Sequence, residues 1–216
     1  MLFSAIQFVL AGNKAMGPLI TQLDSDDLQV RRKSLKTLTA LGPQARDAIV
    51  PLIAFVQKKY DEERRKEYPC LYCEASFAVE ALGSIGSAAA TAEPTLIKFL
   101  KDGPQNTEFD QELMIALGRL GKHPKLIIPL LTPFIEEAVD HPPKRDLNYP
   151  LAAIRSLGAL GPKAAPAVPV LIKALRGGWD IPCNAEKALL QVGTPEALAA
   201  IKGRNVDLNR RCGHDE

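Results

Sequence analysis

Apolar residues along the chain return at the spacing of an α-helix, and five of the helical runs end alike. The endings are Ala40-Leu41-Gly42-Pro43, Leu82-Gly83-Ser84-Ile85-Gly86, Leu117-Gly118-Arg119-Leu120-Gly121, Leu157-Gly158-Ala159-Leu160-Gly161-Pro162 and Leu189-Leu190-Gln191-Val192-Gly193. Aligned on the last glycine, the position four before it is always Leu: Leu38, Leu82, Leu117, Leu157 and Leu189. One before it stand Leu41, Ile85, Leu120, Leu160 and Val192; five before are Thr37, Ala81, Ala116, Ser156 and Ala188; eight before are Ser34, Ala78, Leu113, Ala153 and Ala185. These offsets make one stripe on a helix of 3.6 residues per turn. The column six before the glycine, Lys36, Glu80, Ile115, Arg155 and Lys187, is mostly polar and falls on the opposite side. Each glycine sits where a helix C-cap favours positive φ, and Pro43, Pro124, Pro162 and Pro195 follow within three positions.

A second apolar run follows each ending, at Pro51-Leu52-Ile53, Pro94-Thr95-Leu96-Ile97, Pro129-Leu130-Leu131 and Pro169-Val170-Leu171-Ile172, with a weaker copy at Pro18-Leu19-Ile20. A proline here is expected in the first helical turn, where its missing N–H has no helical partner. The pattern predicts helices near 2–11, 15–23, 27–41, 45–65, 71–85, 92–101, 108–120, 125–139, 148–160, 166–176, 181–192 and 195–202. Spacings between cap glycines of 44, 35, 40 and 32 residues place the length variation in loops and helix extensions. Residues 1–202 read as one repeat domain and 203–216 as a tail without an apolar run. The five endings lack upstream partners, so the chain also reads as a possible stretch of a longer solenoid.

Paired helices with Val30-Arg31 entering the first, an Ala/Leu ladder, a Leu-x-x-Leu-Gly end and a Pro-x-Leu-Ile second helix resemble HEAT repeats. The Gly-rich form, clearest from Ser156 to Leu175, is similar to the short HEAT-like repeats of phycobilisome lyase subunits and bacterial scaffold proteins. The resemblance implies an all-α, right-handed α-solenoid, a HEAT-like or armadillo-type superhelix of about six helix pairs. Such stacks bury one face of each repeat against the next and leave a long curved surface for binding. The matching residues pack and cap helices, so the resemblance carries over no catalytic residue. Thr39 and Leu190 replace the inner glycine seen at Gly83, Gly118 and Gly158, which predicts looser packing in the first and last of these repeats.

Composition narrows the partner class. With 27 basic against 25 acidic residues, a net charge of +2 is too balanced for a protein that must neutralise many phosphates, so nucleic acid is not the expected partner. No apolar run approaches the roughly 20 residues of a membrane span. Met1–Ala11 reads as the first repeat helix and not as a signal peptide, because no Lys or Arg precedes its apolar core. Cys70, Cys73, Cys183 and Cys212 are too few and too irregular for a disulfide framework, so reduced thiols and a cytoplasmic location are expected.

Candidate chemistry is sparse. Cys70-Leu71-Tyr72-Cys73 has the spacing of a redox pair or half a zinc site, but the second half is missing, and no metal or cofactor is expected. His123, His141 and His214 pair with no nucleophile or carboxylate at a recognisable spacing, and Glu136, Glu137 and Asp140 fall at a wet helix end. The Gly-x-x-Gly segments lie at helix C-ends, not at the N-ends where phosphate meets free N–H groups.

The stacked surface remains. If second helices line the concave side, offsets +4 and +7 from each proline face outward there: Phe55 and Lys58, Lys98 and Lys101, Pro133 and Glu136, Lys173 and Arg176. Five of these eight are basic, a shallow ridge suited to an acidic peptide or protein, with Phe55 as an anchor. The expected function is a non-catalytic scaffold binding a protein or peptide partner. The alternatives are a subunit of lyase type handling a bilin or another cofactor on a client protein, or a chaperone. A HEAT-like DNA-binding protein, for which Trp179 beside Asp180 is the only sign, ranks below these.

Overall fold

The computed structural model describes residues 16–63, 74–102, 107–141 and 148–204. After α1 (16–22) come α2 (Leu28–Leu41), α3 (Ile49–Glu63), α4 (Glu74–Ile85), α5 (Glu93–Lys101), α6 (Thr107–Leu120) and α7 (Pro124–Asp140). The chain continues with α8 (Asn148–Ala159), α9 (Val168–Ala174), α10 (Ile181–Val192) and α11 (Pro195–Ala200). No strand occurs among the described residues, and no described helix is long and apolar enough to cross a membrane. The expected helix at 2–11, the 203–216 tail beyond residue 204, and Cys70, Cys73 and Cys212 lie outside the described residues.

The columns fold as their periodicity dictates. Leu38, Leu82, Leu117, Leu157 and Leu189 are fully buried, as are Ser34, Ala78, Leu113, Ala153 and Ala185, whereas no residue of the Lys36 column is buried. All five cap glycines have positive φ, between 51° and 74°. At the first of them the Gly42 N–H reaches back to the carbonyls of Leu38 and Thr39, satisfying acceptors that the helix end leaves open. Asp27 caps the other end of α2, accepting from Gln29 N–H at 2.7 Å.

Between the helices of three pairs the chain forms a 3-10 turn, at Gly42–Ala48, Gly86–Ala92 and Gly161–Ala167. Each carries two buried alanines three residues apart, Ala45 and Ala48, Ala89 and Ala92, Ala164 and Ala167. Both methyls reach the core side, and in the first two turns the backbone leaves helical geometry at the first alanine, Ala45 and Ala89. The expected helix over 45–65 is accordingly split, with α3 starting at Ile49. Pro51, Pro94 and Pro169 do fall in first turns, but Pro129 and Pro133 lie inside α7. Both prolines are exposed, so the carbonyls they leave without a helical donor face solvent.

Contacts between successive repeats run mainly through the first helices, α2 with α4, α4 with α6, α6 with α8 and α8 with α10. Of the second helices, α7 packs on α9 and α9 on α11, while α3 meets α5 through side chains, with the Tyr60 ring stacked on Phe99 at 4.0 Å between centroids. The inner glycines explain the close row. A Cβ on Gly83 would stand 3.1 Å from Ala116 Cα, one on Gly118 2.4 Å from the Ser156 carbonyl oxygen, and one on Gly158 3.1 Å from Ala188 Cα. Glycine three before each cap therefore meets the small residue five before the next cap. The first helices therefore form the most closely packed row of the stack.

Candidate functional site

The first-helix row presents its polar column and the residues one turn earlier. Between α2 and α4 lies a cleft of about 460 Å³ lined by Gln29, Arg32, Lys33, Lys36, Thr37 and Phe77. The Arg32 guanidinium carbon stands 5.9 Å and Lys36 Nζ 5.8 Å from the Phe77 ring centroid, within cation–π range. The helix spacing gives this grouping: Lys33 and Lys36 are one turn apart on α2, and the neighbouring repeat supplies Phe77 from its matching position.

Further along the row the sign of charge changes. Glu108 and Glu112 are a turn apart on α6, and Glu80 comes from α4. Burial pushes the Glu112 carboxyl up to about 7; repulsion from Glu80 and Glu108 adds to this and Arg119 opposes it. Glu108 is also raised, by burial and then by Glu80. A carboxyl balanced near neutrality can give or take a proton at physiological pH. Among the described residues no group of His, Cys, Asp and Glu is arranged to hold a metal ion.

Two buried polar clasps fix the register of the stack. Arg31 on α2 donates through Nε and Nη2 to both oxygens of Glu74 on α4, at 2.6 and 2.9 Å, and through Nη1 to the carbonyls of Ser25 and Asp26. Glu93 at the start of α5 is fully buried and accepts from the backbone N–H groups of Lys122 and His123. His123 Nδ1 lies 2.6 Å from the same carboxylate. The spacing argument gave His123 no carboxylate partner; the partner is 30 residues away in sequence and arrives only by stacking.

The residues expected on the ridge are placed differently from one another. Phe55 is only 6% exposed and packs in the core beneath Lys59 Nζ, so it offers no surface anchor. Its offset faces inward because α3 also packs on α4. Lys58, Lys98, Lys101, Lys173 and Arg176 are exposed, and Lys173 Nζ pairs with Asp140 at 2.7 Å. Glu136, Glu137 and His141 are exposed at the wet end of α7. Trp179 is 60% exposed with φ of 53°, in the loop between α9 and α10. Cys183 is disulfide-bonded, which corrects the expectation of reduced thiols; the chain path, not cysteine spacing, decides which sulfurs meet.

Of the carboxylate grouping, only Glu80 stands out in the sequence, as one member of the polar column. The approach of the three carboxylates depends on the inter-repeat register set by Gly83 against Ala116.

Residues 150–177 match the family model of the PBS lyase HEAT-like repeat. No curated protein matches the chain significantly. A solved structure, the complex of CpcE and CpcF of phycocyanin lyase from Nostoc sp. PCC7120, is similar over 85% of this chain and 67% of its own, with a TM-score of 0.61 and 25% identity. This likeness corrects the reading of the chain as a protein without an enzymatic role, because the similar protein is a lyase. The physical reason for the error is that the repeat columns record helix packing, whereas surface chemistry sits in the polar positions between them. The chain is an all-α solenoid of short helix pairs, and its residues 150–177 carry a repeat of the HEAT-like kind.

Proposed function

We propose that this chain is a lyase-type subunit that handles a bilin, an open-chain tetrapyrrole, on a client protein. The observation that carries the reading is the likeness to the phycocyanin lyase complex over most of the chain. The first-helix row supports it, since it sets a cationic, aromatic cleft beside a carboxyl that exchanges protons near neutral pH. On this reading Phe77 and the α2 cations hold a conjugated anion. Glu112 gives or takes a proton as the pigment is moved, and the client lies across the first-helix row.

The similar protein is a complex of two chains, and a protein partner is proposed here too. The exposed cations Lys58, Lys98, Lys101, Lys173 and Arg176 on the second-helix side form the surface assigned to an acidic partner. Mixing the purified chain with a bilin, alone and then with a pigment-free phycobiliprotein subunit, tests the function. A shifted and strengthened visible absorption, and faster pigment transfer to the client, are expected. An unchanged spectrum together with an unchanged transfer rate refutes the proposal.

A further inference from the structure

We infer that the cleft between α2 and α4 is a subsite for the carboxylate arms of the pigment, an inference that rests on the bilin reading above. Arg32, Lys33 and Lys36 bring three cations to one wall, and no acidic residue lines the cleft. Phe77 supplies an apolar ring face from the opposite helix, with Arg32 and Lys36 both within 6 Å of its centroid. Gln29 and Thr37 add hydrogen-bonding groups. A ligand that satisfies this lining must join a flat apolar part to negative charge at its edge. An acidic peptide meets the cations but leaves the ring face unused.

The volume of about 460 Å³ is at the small end of ligand pockets, which run from roughly 300 to 1,000 Å³. The cleft therefore takes one end of an extended pigment and leaves the rest along the row. Toward α6 the surface turns acidic at Glu80, Glu108 and Glu112, which repel carboxylates. Charge thus sets a direction: carboxylate arms over α2, the conjugated body toward α6.

The test compares biliverdin with its dimethyl ester, which keeps the conjugated body and removes both negative charges. Binding to the full chain is followed by absorbance, for the native protein and for K33Q/K36Q. Both lysines are exposed, so the variant is expected to fold, and its circular dichroism and melting temperature check this. The native chain is expected to bind the acid about tenfold or more tighter than the ester, as loss of charge-assisted hydrogen bonds implies. K33Q/K36Q is expected to erase that preference while leaving ester binding unchanged. F77L is expected to weaken both pigments. Equal binding of acid and ester by the native chain, or an undiminished preference in K33Q/K36Q, overturns the subsite and leaves the bilin reading standing. If the native chain binds neither pigment, the bilin reading falls and the subsite with it.

Discussion

Replacing Gly118 by Ala tests whether close approach of the first helices holds the stack together. Gly118 is buried in α6, and a Cβ built on it would lie 2.4 Å from the Ser156 carbonyl oxygen, 2.5 Å from Ser156 Oγ and 2.7 Å from Ser156 Cα. Two of these three atoms are backbone, so no side-chain rotation relieves the contact and α6 must move from α8. That movement also strains the buried hydrogen bond from Ser156 Oγ to the Met114 carbonyl, 2.6 Å long. Overpacking of this kind costs about 1–3 kcal/mol. Helix propensity acts oppositely, favouring Ala over Gly by about 1 kcal/mol. Because the contact is with backbone, the clash falls in the upper part of that range, about 2–3 kcal/mol, giving a net loss of about 1–2 kcal/mol and a melting temperature lower by roughly 2–8 °C for a chain of this size. Urea denaturation followed by circular dichroism at 222 nm measures it. G178A, where a Cβ meets nothing within 4 Å, is the control and is expected to change stability by less than about 0.5 kcal/mol. A G118A protein as stable as the native one would refute the claim that glycine is there for helix contact.

Three further outcomes follow from the same geometry. Glu93→Ala removes a fully buried carboxylate and leaves the Lys122 and His123 N–H groups without their acceptor, a loss of about 3–5 kcal/mol in thermal denaturation; a loss under about 1 kcal/mol would show the clasp to be incidental. Glu112 has a folded pKa raised to about 7 from 4.5, so the stability linked to its protonated form is complete below pH 4.5 and lost as pH rises through 7. E112Q is therefore expected to be more stable than the native chain at pH 8, with the difference shrinking toward pH 4.5, and a pH-independent difference would contradict the assignment. Reversing charge together at Lys98, Lys101, Lys173 and Arg176 is expected to abolish calorimetric binding to polyglutamate at low salt while the melting temperature stays nearly constant. The Lys173–Asp140 pair it breaks is exposed and contributes at most about 1 kcal/mol. Unchanged polyglutamate binding would remove the ridge from consideration.

The helix pairs were legible because their cause is local. A stripe of Leu and Ala at offsets one, four, five and eight, closed by Gly and Pro, specifies a helix, its buried face and its end without reference to anything distant. The 3-10 turns are marked only by the Ala45/Ala48, Ala89/Ala92 and Ala164/Ala167 pairs, a three-residue spacing that is hard to tell from the 3.6-residue patterns on either side. The site was hidden for a different reason. Phe77 and Lys36 meet across 41 positions, and Glu80 and Glu112 across 32, so each lies in a different helical pattern and each alone reads as solvated surface.

The amino-acid sequence by itself determined that this chain is a stack of helix pairs, where each helix stops, and which face of each is buried. Those outcomes follow from side-chain periodicity and backbone preference within a dozen residues. Only the tertiary structure decided which row of helices packs most closely between repeats, that Phe55 is core, that His123 meets Glu93, and that cations and carboxylates sort into neighbouring patches. These depend on the register between repeats, fixed by atoms in contact across the stack, such as Gly118 against Ser156, and carried by no single stretch of chain.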